Sequence, residues 1–478
     1  MPEAPTIDTG NTAWLLVSSA IVLLMTPGLA LFYGGLNRAK GVLNMIMMSF
    51  SAIGLVSILW LFYGFSAAFG EDQGGVIGDL GQYLGTKTFM AETDLWGETG
   101  VPLYVFMAFQ MMFAVITVAL ISGAISDRAK FSGWLLFVVG WASLVYFPVA
   151  HWVWGGGFIG ANLGALDFAG GTAVHINAGA AALALVLVLG RRLGWPRETM
   201  KPHNVPMVAL GAGLLWFGWF GFNAGSELTA DLTTGLAFVN TQVATAAAVL
   251  GWLLVEKARD GRPTLVGASS GAIAGLVAIT PACAFVTPWA AVLLGLVAGA
   301  VCALAVGLKY RLGYDDSLDV VGVHFVGGWI GCLWIGLFGT SSVSSLVSDE
   351  GLFYGGGVTQ LGVQALSGLI VTGYSFVVAF VLAFVIQKTI GFRVSEQAEV
   401  EGIDIAEHAE SGYDLSPAAG SAGGGAFAAA GLTGGRPASQ TGAPGAEQVA
   451  AGWPAGGRHG HPGSAGGEGA DATGQRRW

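Results

Sequence analysis

Two histidines carry the most informative chemistry in this sequence. His175 lies in DFAGGTAVHINAG and His324 in DSLDVVGVHFVGG. Each stands eight residues after an aspartate, Asp167 or Asp316, follows a valine and precedes a glycine four positions on. Both stretches open long apolar runs, so both imidazoles are expected in a low-dielectric medium, where polar and ionisable groups are expensive and by default mark a pathway. Eight helical residues place each histidine about 12 Å past its aspartate. If the two helices enter a hydrocarbon layer about 30 Å thick from opposite faces, the rings meet near its middle. Neutral imidazoles there can share a hydrogen bond and hand a proton along a narrow file. Two other readings stay open on these residues alone: unrelated core histidines bonded to backbone carbonyls, and axial ligands of a haem.

Other residues offer cation chemistry. Asp167 precedes a helix, where it can cap the N-terminal amides while its field favours a cation at the mouth. Trp154, before Gly155-Gly156-Gly157, can bind a monovalent cation through its ring face or sit in an interfacial belt. Phe113 and Phe222 read equally well as packing aromatics, and Ser226 in GWFGFNAGSE as a coordinating hydroxyl or a helix-end cap. Several signals carry no such chemistry. Cys283, Cys302 and Cys332 lie in apolar stretches without C-x-x-C spacing, so they read as buried thiols, and no metal site or cofactor is expected. The G-x-G-x-x-G of residues 155–160 follows no strand, so it does not read as a dinucleotide loop. Gly267, Gly271 and Gly275, and Gly295, Gly299, Ala303 and Gly307, form small-xxx-small faces for close helix packing. No nucleophile and base stand together, and no enzyme is expected.

The elements that must hold these groups are membrane helices. Of 478 residues 54% are hydrophobic and 10% charged, well under the roughly 25% of a soluble domain. The net charge of −10, without a basic stripe, argues against nucleic acid. Windows of about 20 apolar residues give spans at 12–36, 42–69, 101–125, 131–154, 169–190, 206–225, 235–256, 264–284, 287–308, 320–340 and 357–388. The N-terminal MPEAPTIDTGNT has no Lys or Arg, so the first span is expected as a retained helix rather than a cleaved signal.

Arg38 and Lys40, Arg128 and Lys130, the 191–201 cluster, Lys257 to Arg262, Lys309 and Arg311, and Lys388 and Arg393 all fall in alternate loops or after the last span, against Lys87 alone in the others. This puts the N-terminus outside, the C-terminus in the cytoplasm and the acidic 71–100 loop outside, which requires an odd number of spans. The two histidine motifs open the fifth and tenth spans. Because five helices separate them, the second copy is inverted, as in many transporters with a central site. The expected fold is an all-α membrane protein: eleven transmembrane helices forming two inverted five-helix repeats plus an eleventh helix. Residues 1–388 form the transmembrane domain, 389–413 an acidic, ordered cytoplasmic segment, and 414–478 a Gly/Ala/Ser/Pro-rich tail unable to bury enough apolar area to order itself.

ALFYGGLNRAK (30–40), AHWVWGGG (150–157), GALDFAGGTAVHINAGAAAL (164–183), GWFGFNAGS (218–226), FVNTQVATAAAVLGW (238–252), SGAIAGLVAITPAC (270–283) and DVVGVHFVGG (319–328) together resemble the ammonium transporter family, on its bacterial rather than Rhesus side. The resemblance runs from about residue 12 to about 413. It implies a homotrimer with a pore in each protomer, in the cytoplasmic membrane, carrying ammonium or ammonia and methylammonium. It implies Trp154, Ser226 and Phe113, supported by Asp167, as a recruitment site; Phe113 and Phe222 as a stacked gate; and His175 and His324 as twin pore histidines beside Trp219 and Thr280. It also implies that 389–413 couples protomers and helps dock the PII nitrogen-regulatory protein. The stretch between Trp154 and Asp167 is one residue longer than the family pattern. An ammonium sensor that binds without conducting is the alternative. An impermeant amine reagent on intact cells is expected to label Lys87 and spare Lys201; Lys201 modified first would refute the orientation.

Overall fold

The computed structural model describes residues 6–85 and 94–413, so Lys87 and the 414–478 tail lie outside the described residues. Eleven apolar helices account for most of the rest: α1 (Thr9–Leu36), α2 (Ala39–Phe69), α3 (Leu103–Ile125), α4 (Phe131–Asn162), α5 (Gly171–Leu189), α6 (Val205–Glu227), α7 (Leu232–Asp260), α8 (Leu265–Ile279), α9 (Pro288–Leu312), α10 (Val321–Phe338) and α11 (Thr359–Thr389). Ten are long enough to cross a bilayer. The exception, α8, has 15 residues where 264–284 was expected as a span. Its continuation 280–286 leaves the helix but stays buried. Irregular backbone at membrane depth is tolerated only where protein answers its polar groups. Asn240 of α7 does so, its Nδ2 donating to the carbonyls of Cys283 and Val286, both at 2.8 Å.

Two further departures are local. The loop after α2 folds into two short hairpins, β1 (Asp72–Gln73) with β2 (Ile77–Gly78) and β3 (Leu95–Trp96) with β4 (Val101–Pro102). The regular part of α4 ends at Trp154, and a π turn at Phe158–Asn162 follows. A π turn holds one more residue than an α turn.

The loops sort onto two faces. On one, Arg38 pairs with Asp127 at 2.6 Å, Arg192 pairs with Asp315 at 2.8 Å, and Arg128 Nη2 donates to the Asp315 carbonyl at 2.6 Å. These contacts join the loops after α1, α3, α5 and α9 into a basic face. On the other, Asp8 N–H donates to Gly100, Phe158 N–H to Gly75, Ala230 N–H to Asn11 Oδ1 and Thr340 N–H to Phe285. The N-terminus and the loops after the even-numbered helices therefore share the hairpin face.

After α11 the chain returns along the basic face through α12 (Glu396–Glu401) and α13 (Ile403–His408). Its carboxylates answer amides at helix starts. Asp404 accepts from Leu43 and Asn44 of α2, and Glu407 from Phe131 of α4.

Glycine packing follows the small-residue faces only in part. Cβ atoms at Gly271 and Gly275 of α8 and at Gly295 and Gly299 of α9 would all strike α7, the last meeting the Ala248 carbonyl oxygen at 2.1 Å, whereas at Gly307 a Cβ meets only its own turn. Both stripes therefore converge on α7, and Gly307 has no packing role. Gly299→Ala is expected to cost about 1–3 kcal/mol through overpacking, and Gly307→Ala close to nothing; thermal unfolding in detergent distinguishes them, and equal melting would contradict the packing.

Candidate functional site

The two histidine helices begin alike at opposite faces. At the hairpin face Asp167 precedes α5. Its Oδ1 accepts the amides of Gly170 and Gly171 at 2.8 and 2.7 Å, and its Oδ2 those of Thr172 and Ala173 at 2.8 and 3.0 Å. At the basic face Asp316 accepts the amides of Val320 and Val321 at 3.1 and 2.7 Å. The first amides of a helix have no partner within it, so each aspartate completes its helix start. Burial, with Asp319 close by, pushes the Asp316 carboxyl up to about 6. The two readings of Asp167 are thereby ordered: capping engages both of its oxygens, and any effect on a cation acts through its field.

Both histidines occupy π turns, Gly171–Ile176 and Val321–Phe325. The glycines four residues on explain how the two helices come together. A Cβ on Gly179 would meet the Phe325 backbone at 2.7 Å, and one on Gly328 would meet His175 Cβ at 3.1 Å and the Gly171 oxygen at 3.0 Å. Each half thus supplies the glycine that admits the other half's histidine turn. The rings lie 5.4 Å apart at 24°, with Nδ1 to Nδ1 at 3.3 Å. A hydrogen bond there needs one Nδ1–H and one lone pair, so the neutral pair holds opposite tautomers. This contact replaces the reading of unrelated core histidines. It also leaves no space for iron between the rings, which overturns the haem alternative.

The remaining candidates extend the file toward the hairpin face. His175 stacks on Trp219 at 5.5 Å and 20°. Trp219 Nε1–H donates to Thr280 Oγ1 at 2.8 Å, and that hydroxyl donates to the Leu276 carbonyl. Phe222 is 6.3 Å from His175 and stacks on Phe113 at 4.1 Å and 15°. Phe113 meets Trp154 edge-to-face at 6.0 Å and 89°. Trp154 is fixed by its Nε1–H, which donates to the Asp167 carbonyl at 2.8 Å. Ser226 donates its hydroxyl proton to the Phe222 carbonyl at 2.8 Å, which leaves its lone pairs free.

A cavity of about 300 Å³ opens above the phenylalanine pair, lined by Phe113, Trp154 and Ser226 together with Phe69, Trp96, Phe106, Gln110 and Phe168. A smaller one, about 40 Å³, lies on the far side of the histidines, lined by His324, Tyr33, Ser270 and Asp319 among others. Trp154, Phe113, Phe222, Trp219, His175 and His324 thus follow one another by ring contact, Ser226 lines the first cavity, and Asp167 and Thr280 join this row through hydrogen bonds to Trp154 and Trp219. Sequence reasoning missed Gln110, although a lone amide in an otherwise apolar span is a signal of the kind that drew attention to the histidines. It also missed the wall of Phe69, Trp96 and Phe106, which depends on the hairpins.

An eleven-helix bundle with inverted halves and polar groups stacked along its middle defines a multi-pass membrane protein of the transporter class. A profile of the Ammonium Transporter Family matches residues 13–413. An ammonium transporter of Mycobacterium tuberculosis is 55% identical over 439 residues, covering 87% of this chain and 92% of that one. Among solved structures, Saccharomyces cerevisiae Mep2 superposes with a TM-score of 0.75 at 35% identity, covering 82% of this chain and 88% of that one. A structure described as a sensor Amt protein gives 0.75 at 29% identity, covering 84% and 98%. The chain belongs to the ammonium transporter family, a family of transporters rather than enzymes.

Asp167→Ala would strand four amides at about 1–3 kcal/mol each, and Asp167→Asn, which keeps one acceptor oxygen, fewer. Melting in detergent is expected to fall in the order parent, Asn, Ala; an Ala variant melting with the parent would refute the capping role.

Proposed function

We propose that this protein moves ammonium across a cytoplasmic membrane by recruiting the cation at the hairpin-face cavity, removing its proton and conducting ammonia along the file. The unbroken sequence of cavity, stacked phenylalanines, paired histidines and second cavity supports this reading. Carrying a bare cation of this size into a medium of low dielectric costs of order 20 kcal/mol in the idealised limit. Neutral ammonia avoids that penalty. Trp154 and Ser226 offer a ring face and hydroxyl lone pairs to the cation, with Phe113 walling the same cavity and Asp167 adding its field. The Phe113 and Phe222 rings close the way until they part. Beyond them ammonia meets His175 and then His324, with Trp219 and Thr280 holding the first ring in place.

The paired tautomers also permit a proton to be passed. A proton arriving at one outer nitrogen, transfer across the shared Nδ1 contact and release from the other outer nitrogen leave the pair with its tautomers exchanged. In this reading the hairpin face is external, the basic face cytoplasmic, and the assembly a homotrimer of separately conducting protomers that also accepts methylammonium. Residues 389–413 are the regulatory segment and part of the surface for a PII protein. A sensor role is the second reading, favoured by the likeness to the sensor Amt structure.

Current evoked by an ammonium pulse in proteoliposomes tests the core of this proposal. The parent is expected to conduct; a protein that binds ammonium without current would favour the sensor. Members of one unit are non-additive. His175→Leu, His324→Leu and the double variant are therefore expected to assemble and each lose most of the current, the double little worse than either single. Additive single losses, or a double variant conducting like the parent, would refute the coupled pair.

A further inference from the structure

The eleventh helix stands outside the two inverted repeats, yet one of its faces is polar. Leu366, Leu369, Val377 and Val381 of α11 are exposed, while Gln360, Gln364, Ser367 and Ser375 are buried. Polar groups inside a membrane helix are costly, and by default they have a task. That of Gln364 is the most definite. Its Oε1 accepts the Leu166 N–H at 2.8 Å, and its Nε2 donates to the Leu166 carbonyl at 2.7 Å. One primary amide thus holds both backbone groups of one residue. Nε2 also donates to the Cys332 carbonyl of α10 at 3.2 Å, and Oε1 accepts from Gln360 Nε2 at 3.1 Å. A glutamine has two donor hydrogens and an oxygen with two lone pairs, so all four are spent. A group so committed binds no passing molecule; it fixes its partners.

What it fixes is the residue before Asp167. Residues 164–167, between the π turn of α4 and the start of α5, have no regular structure, so no helical or sheet ladder holds them. Ala165 and Phe168 are tied by their amides to the carbonyls of Ile159 and Pro281, both at 3.1 Å. Leu166, between them, is tied by Gln364. Immediately after it, the Asp167 carbonyl takes the indole N–H of Trp154 at 2.8 Å. The contacts therefore run from an amide on α11, through one backbone residue, to the ring assigned to the cation.

We propose, on the recruitment reading above, that Gln364 is a positioning residue for the cation, acting through Leu166 and the Asp167 carbonyl on the indole of Trp154. It touches no substrate. Loss of its amide frees residue 166 to shift, and with it the carbonyl that sets the angle of the ring. The eleventh helix thereby takes part in recruitment, and the bond to Cys332 refers the mouth of the file to the helix that carries His324.

The test is the half-saturating concentration of ammonium-evoked current in proteoliposomes of the full chain, for the parent, Gln364→Leu, Trp154→Leu and the double variant, each also melted in detergent. Gln364→Leu is expected to raise half-saturation about threefold or more, with the maximal current per assembled protein falling less. Residues that act through one another are non-additive, so the double variant is expected to half-saturate close to Trp154→Leu alone. Gln364→Leu melting lower than the parent with unchanged half-saturation, beside a raised value in Trp154→Leu, would make the amide merely structural and overturn its role while recruitment stands. Single effects that multiply in the double variant would overturn the route through Trp154. An unchanged value in Trp154→Leu overturns recruitment by that ring, and the role of Gln364 with it. Should the Leu variant fail to assemble, Gln364→Asn, which draws the amide back by one methylene and keeps a polar group in place, decides by the same criterion.

Discussion

The hydrogen bond between His175 and His324 is the contact around which this protein is arranged. Two ring nitrogens 3.3 Å apart in a buried setting demand that two helices from opposite faces bring their backbones almost into touch. That approach is possible because Gly179 and Gly328 present no Cβ to each other's histidine turn. It also requires that each helix begin inside the protein, where its first amides need an acceptor. Asp167 and Asp316 provide it. The repeated spacing of aspartate, histidine and glycine is therefore one construction used twice: cap, ring and contact glycine in fixed register along a helix.

That register explains why so much was legible in the sequence. The eight-residue interval and the odd offset of five spans between the two motifs already implied inverted halves, and basic residues in alternate loops implied two faces. Trp154, Phe113, Phe222 and Ser226 were individually ambiguous, because one aromatic or hydroxyl in an apolar run has many ordinary explanations. Only the fold stacks Phe113 on Phe222 and turns the Ser226 proton away from the cavity. The haem alternative likewise depended on a separation that no spacing reveals. Hairpins of two-residue strands fall below any periodicity that a sequence displays, so the Trp96 wall was invisible as well.

The basic face carries a second set of buried contacts with its own logic. Arg38, Arg192, Asp127 and Asp315 join loops far apart in sequence, and the returning chain adds Glu399, which accepts from Leu193 N–H and Arg393. Lys40 donates to the carbonyls of Glu399 and Val400. A shift of the 395–408 stretch would thus uncap α2 and α4 at the same time, which ties the state of the C-terminal segment to two helix starts in the first half of the bundle.

The short helix α8 has a consequence for how its segment sits in the membrane. Its 15 residues rise about 22 Å, less than the hydrocarbon thickness of about 30 Å, and beyond Ile279 the carbonyls of Cys283 and Val286 are answered by Asn240 of α7 and those of Pro281 and Phe285 by Phe168 and Thr340. Alone in lipid, this segment would leave polar backbone unanswered. The segment's seat at membrane depth is therefore supplied by its neighbours, α7 first among them, rather than by its own length.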